Sequence, residues 1–222
     1  MAKIEIASFN TKAAMIAQES NADRIELCAG MEVGGTTPSI ADITAVRAAV
    51  RIAMNVMIRP RGGDFVYSDD EFAQMKSDLL RIKDLGVDGF VFGILNADNT
   101  VNLAQNSELV ALAAPLPCTF HRAFDDVTDM DVALEEVIHC GFKTILTSGC
   151  EPNVMAGLAN LKYLVQAAQG RIVIMPGGGL RSTNVEEVLR ETGAVYFHSS
   201  AITDGSDTAV ALEVKALKER VS

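Results

Sequence analysis

The residues best equipped for chemistry in this chain stand at the ends of short apolar runs. Arg24-Ile25-Glu26-Leu27-Cys28 sets an arginine, a glutamate and a cysteine at alternate positions. On a strand, alternate side chains share a face, so these three look one way and Ile25 and Leu27 the other. The same parity turns Glu5 away from Ile4 and Ile6, and Asn55, Met57 and Arg59 away from Val56 and Ile58. It also turns Thr119 and His121 away from Cys118 and Phe120, and Tyr196 and His198 away from Val195 and Phe197. Burying an unpaired charge is very costly. The inward groups must therefore pair with one another or with something bound. Glu26 and Arg59, on adjacent strands, are the natural first pair, while Glu5 and Arg24, near the strand starts, are equally open to a structural ion-pair network across the barrel or to a part in a site. His121 has the chemistry of a general acid or base, with Glu26 as its partner. The plainer alternative for such a histidine is a hydrogen-bonded core residue.

The segments after these runs are rich in glycine, arginine and serine. They include Gly34-Gly35-Thr36-Thr37-Pro38-Ser39, Arg59-Pro60-Arg61-Gly62-Gly63-Asp64-Phe65, His121-Arg122-Ala123-Phe124-Asp125 and Thr147-Ser148-Gly149. Further on come Gly177-Gly178-Gly179 and His198-Ser199-Ser200-Ala201. Glycine lets backbone approach a ligand and exposes amide donors. With Arg59, Arg61 and Arg122 as clamps, these loops suit a small anion. Asp125, Ser148, Gly149, Gly177, Gly178, His198, Ser199 and Ser200 are the further residues expected to line its site. A glycine triplet alone is equally a tight turn.

Eight apolar runs carry these groups: Lys3–Ala7, Arg24–Cys28, Asn55–Arg59, Gly89–Gly93, Pro117–His121, Lys143–Thr147, Ile172–Pro176 and Val195–Ser199. Amphipathic stretches such as Glu71–Leu85 and Asn153–Ala168 separate them. Eight strand–helix alternations imply parallel strands with helical crossovers, and eight is the number that closes a filled barrel. Ser68 with Glu71, and Thr183 with Glu186, have capping-box spacing, and Ser39 with Asp42 is a weaker form. Gly86, Gly141 and Gly193 stand where left-handed helix ends are expected. No linker or charge run divides residues 1–222, so the expectation is a single-domain (β/α)₈ TIM barrel, with its site at the strands' C-terminal ends.

Composition excludes several classes of function. The formal charge of −10 opposes phosphate backbones, so no nucleic-acid partner is expected. No stretch reaches the roughly 18 apolar residues of a membrane helix, and Met1–Phe9 is too short and polar for a signal peptide. Cytoplasmic location is the resulting expectation. Cys28, Cys118, Cys140 and Cys150 are scattered without a CxxC, which suits reduced thiols better than a zinc site. Association into a homo-oligomer is left open.

The segments Ala22–Cys28, Gly34-Gly35 through Pro38-Ser39, Arg59–Phe65 with Tyr67-Ser68, Thr119–Asp125, Leu146–Gly149 and His198–Ala201 resemble the copper homeostasis protein CutC family. They span nearly the whole chain in order. The resemblance implies a TIM barrel, a cytoplasmic location and a part in copper tolerance or trafficking. It also implies Cys28 as a Cu(I) ligand. Cu(I) favours thiolate and thioether sulfur. Cys28 is inward and near a strand end, but a second soft ligand is hard to find. Met54 and Met57 are three apart and point to opposite faces, leaving Cys150 or Met31 to approach from a loop. Two functions compete: copper handling through Cys28, and an enzyme acting on a small anionic metabolite, such as a phosphorylated one, through His121, Glu26, Arg59 and Arg61.

Overall fold

The computed structural model describes residues 2–222. Eight strands run parallel: β1 Lys3–Ser8, β2 Arg24–Leu27, β3 Ala53–Met57, β4 Gly89–Phe92, β5 Cys118–Phe120, β6 Thr144–Thr147, β7 Val173–Pro176 and β8 Tyr196–Ser199. Eight helices alternate with them: α1 Thr11–Glu19, α2 Ile40–Ala49, α3 Asp69–Lys83, α4 Leu103–Ala113, α5 Met130–His139, α6 Leu158–Ala168, α7 Val185–Thr192 and α8 Ala211–Val221. The strands are hydrogen-bonded in the order β7-β6-β5-β4-β3-β2-β1-β8, which is a TIM-type barrel with one seam, between β7 and β8, that lacks a ladder.

Local sequence accounts for the element ends. Ser68 and Glu71 form the full capping box of α3, and Ser39 accepts the amide of Asp42 to start α2. Such caps contribute about 1 kcal/mol each. The second expected box does not form. α7 starts at Val185 with no side-chain cap, because Asn184 stands between Thr183 and the helix and turns its Oδ1 to the amide of Arg181. Gly86, Gly141 and Gly193 have φ of +75°, +94° and +67°, as their places after helices require.

Strand parity sorts the side chains as expected. Ile4, Ile6, Ile25, Leu27, Val56, Phe90, Phe92, Phe120 and Phe197 join the core between barrel and helices. Phe92, Phe120 and Phe142 pack with ring centres 5.1–5.2 Å apart, and each buried ring is worth roughly 1.5–3 kcal/mol. Cys28, Met57 and Val91 form a separate small cluster, with Phe9 against it. These residues face the barrel interior. β3 lies earlier than the sequence suggests, ending at Met57 instead of Arg59. Register then decides the polar interior: Glu5 is level with Arg24 on one side and with His198 on the other. No helix among the described residues is long and apolar enough to cross a membrane.

Candidate functional site

A cavity of about 500 Å³ opens at the C-terminal ends of the strands, and Glu26, Cys28, Arg59 and His121 all line it. Strand parity predicted this convergence.

Its deepest polar element is a row of charges. Glu5, fully buried, pairs with Arg24 and, through Oε1, with His198 Nδ1 at 2.9 Å. The other ring nitrogen of His198 lies 3.6 Å from Glu26 Oε2. Arg24, Glu5, His198 and Glu26 thus alternate in sign. Burial would strip His198 of its proton, but the carboxylates of Glu26 and Glu5 outweigh it and raise its pKa. Burial raises Glu26 to about 7, against the pull of His198 and with Glu5 adding to the rise. Burial and the neighbouring Glu26 push the Cys28 thiol well up.

The expected pair of Glu26 with Arg59 does not form. Glu26 is level with Asn55, and Arg59 lies four residues further along, about 13 Å at the rise of a strand. Arg59 instead donates Nη1 to the carbonyls of Val33 and Gly35, both at 2.9 Å, and Nη2 to that of Gly63 at 2.7 Å. Its guanidinium lies 4.7 Å from the ring centre of Phe65. His121 packs on the same ring at 4.8 Å. Its Nδ1 accepts the amide of Ala123, which places the ring hydrogen of the neutral side chain on Nε2. Burial, with Arg59 beside it, lowers its pKa to about 3. At neutral pH His121 is therefore a hydrogen-bond donor with no proton to spare.

The loops hold their predicted residues in different ways. Arg61 does not reach the cavity. Its guanidinium is taken by Asp64, Glu71 and the carbonyl of Val66 and packs on Tyr67, because the chain has left the strand and face alternation no longer directs it. Arg122 is at the rim, bonded to Asp125 and Ser148. Asp125 lines the edge but chiefly staples a loop, accepting the Thr147 hydroxyl and the amides of Ser148 and Cys150. The Ser148 hydroxyl donates to the carbonyl of Glu151. Gly149 and Gly177 serve packing: a β-carbon would come within 2.6 Å of the Gly157 carbonyl at the first and 2.4 Å of Leu146 at the second. Gly178, His198, Ser199 and Ser200 do line the cavity.

Neither expected partner of Cys28 arrives. Cys150 turns its thiol to the carbonyl of Phe124, and Met31 lies outside the cavity, 38% exposed. Met57 takes that place. It lines the cavity beside Cys28, and a β-carbon on Gly35 would sit 3.5 Å from both Cys28 Sγ and Met57 Cε. Strand parity already turned Met57 inward with Asn55 and Arg59.

Arg181 is the residue the sequence reading missed. It lines the cavity and donates to the carbonyls of Leu180 and Ile202 and to the hydroxyls of Ser199 and Ser200. Its signal was an arginine two places after the glycine triplet.

Comparison with known proteins places the chain. The model of the CutC family matches residues 2–203. The human copper homeostasis protein cutC homolog is 46% identical over 198 residues, covering 89% of this chain and 72% of that protein. A relative from Yersinia enterocolitica named as family protein CutC is 43% identical over 202 residues, covering 90% and 79%. The CutC crystal structure from Streptococcus agalactiae superposes with a TM-score of 0.87 at 34% identity, covering 91% of this chain and all of that one. Phosphoribosylanthranilate isomerase from Thermotoga maritima, at 12% identity and TM-score 0.63, shares the fold.

Proposed function

The chain belongs to the CutC family, and from that premise we propose that it serves copper homeostasis by carrying Cu(I) as cargo on sulfur ligands at the floor of the barrel mouth. One observation carries this reading: Cys28 and Met57 are buried in one small cluster inside the barrel, and both border the cavity. Thiolate and thioether are the ligands Cu(I) favours. The Cys28 thiol is protonated in the absence of metal, so binding releases its proton. Among the described residues no cluster of three His, Cys, Asp or Glu is arranged to hold a metal. Four free cysteines suit a reducing compartment, which keeps copper monovalent, so the cytoplasm is the proposed location.

Anaerobic Cu(I) titration against a competing chelator tests the proposal. Cys28→Ser is expected to abolish tight binding, and Met57→Leu to weaken it by about tenfold, a loss of roughly 1.4 kcal/mol. Equal stoichiometry and affinity in wild type and Cys28→Ser would remove the thiol from the account.

A further inference from the structure

One stretch of the cavity wall carries hydrogen-bond donors that copper binding does not use. Gly178, Gly179, Leu180 and Arg181, from the loop after β7, and Ser200, just past β8, all line it. Arg181 gathers them. Its Nη1 donates to the Leu180 carbonyl at 2.7 Å and to the Ser199 hydroxyl at 3.2 Å, and its Nη2 lies 3.4 Å from the Ser200 hydroxyl. The guanidinium is thus folded back over its own loop and held against the end of β8. Gly177 gives its amide to Thr147, and Arg181 gives its own to Asn184. Among the described residues the amides of Gly178, Gly179 and Leu180, which lie between, take no acceptor, and neither does that of Ser200. The Ser200 hydroxyl accepts from Arg181 and from the Ile202 amide, which leaves its own hydrogen free to donate.

Charge and shape say what these donors fit. Every acceptor of Arg181 is a neutral oxygen, whereas Arg24, Arg61 and Arg122 each hold a carboxylate. In a chain of net charge −10, this half-buried arginine stands on a cavity wall with no acid beside it, and its positive charge is left to the space. Asp125, at the rim, is already met by Arg122, the Thr147 hydroxyl and the amides of Ser148 and Cys150, and Asp126 is exposed. Gly178 and Gly179, with φ of +98° and +73°, put no side chain between an anion and the main chain. Arg122 flanks them: a β-carbon on Gly178 would lie 3.1 Å from its guanidinium carbon. Water would satisfy the amides but leave the Arg181 charge unmet. A carboxylate offers two oxygens in one plane. A phosphate group offers three around a tetrahedron, which suits amides, a hydroxyl and a guanidinium supplied by two loops. The loops after the seventh and eighth strands of such barrels frequently hold phosphate. The cavity, at about 500 Å³, is larger than phosphate alone requires and extends to Cys28 and Phe65, so the group belongs to a larger molecule.

We propose that the β7–β8 side of the barrel mouth binds the phosphate group of a small phosphorylated metabolite, held by Arg181, the Ser200 hydroxyl and the main-chain amides of Gly178 and Gly179, with the rest of the molecule in the cavity. The inference does not rest on copper binding.

The test is titration of the protein with glycerol 3-phosphate, inorganic phosphate, acetate or glycerol, with copper chelated and ionic strength held constant by chloride. It is read by thermal shift and by the amide resonances of Gly178, Gly179 and Ser200 in ¹⁵N-labelled protein. Glycerol 3-phosphate and inorganic phosphate are expected to raise Tm and move those three resonances, the ester binding more tightly, while acetate and glycerol leave them in place. Ser200→Ala is expected to weaken glycerol 3-phosphate binding about tenfold, the worth of one hydrogen bond near 1.4 kcal/mol, and Arg181→Gln to weaken it by at least as much. Unmoved resonances with both phosphates at tens of millimolar would overturn the proposal. So would an equal response to acetate, or undiminished binding in a folded Arg181→Gln or Ser200→Ala. Inorganic phosphate binding as tightly as the ester would overturn the assignment to a phosphorylated metabolite. If Arg181→Gln does not fold, Ser200→Ala and the wild-type resonances decide. Repeating the titration in Cys28→Ser separates the outcome from that of the copper experiment.

Discussion

His198 Nε2 lies 3.6 Å from Glu26 Oε2, close enough to share charge and too far for a good hydrogen bond. That distance leaves Glu26 only partly compensated. The other nitrogen of His198 is committed to Glu5, so the imidazole cannot turn toward Glu26 without breaking a buried contact. The barrel mouth thus contains a glutamate that burial holds well above the ordinary carboxylate range.

This sets a pH dependence. Folded Glu26 titrates at about 7, against 4.5 for an ordinary glutamate. Between those values the unfolded chain has released this proton and the folded one has kept it. The group's contribution is therefore fully present below pH 4.5 and lost as pH rises through 7. Glu26→Gln removes the titration, so it should gain on wild type across that window by roughly 3 kcal/mol. Urea midpoints at the two ends of the window check it.

His121 works in the opposite sense. Its folded pKa of about 3 lies below the ordinary 6.5. Its contribution is whole above pH 6.5 and lost as pH falls through 3. Between 4.5 and 6.5 the two groups cancel. Wild type should be nearly flat there with respect to both, while Glu26→Gln should lose stability on acidification from 6.5 downward. His121→Phe should lack that acid-side loss. Denaturant unfolding across the range distinguishes the three proteins.

Arg181→Ala should destabilise the fold by about 2 kcal/mol, because it deletes donors to two carbonyls and two hydroxyls. Arg181→Lys should recover less than half of the loss, since an ammonium cannot span the same fork. Equilibrium unfolding measures both, and amide exchange should quicken at His198 to Ile202.

Gly178→Ala should cost about 1–2 kcal/mol, the penalty of a left-handed L-residue. Gly178 has φ +98°, and the added carbon would meet the Arg122 guanidinium at 3.1 Å. Chemical denaturation gives the cost, and a displaced Arg122 should appear as altered contacts with Ser148.

Much of this was legible in the sequence, and the exceptions have physical causes. Alternation along the strands placed Glu5, Glu26, Cys28, Arg59, His121 and His198 correctly, because parity survives a two-residue error in where β3 ends. Pair identity was not legible, because register decides it: Glu5 meets His198 only through the β1–β8 ladder. Loop residues escaped as well. Nothing in the order of Arg59 and Arg61 says that one enters the mouth and the other folds back on Glu71. Arg181 escaped because it follows Gly178 and Gly179, whose left-handed backbone ends the strand's alternation before it is reached.

The seam between β7 and β8 changes how the barrel is closed. The other neighbouring strands share ladders, whereas here side chains do the joining: Ser199 to the carbonyl of Leu180, and Arg181 to Ser199 and Ser200. Parting these two strands breaks no main-chain ladder. The cylinder is therefore closed at this one place by packing and a few side-chain bonds instead of by main chain, and substitutions at Ser199 or Arg181 act on that closure directly.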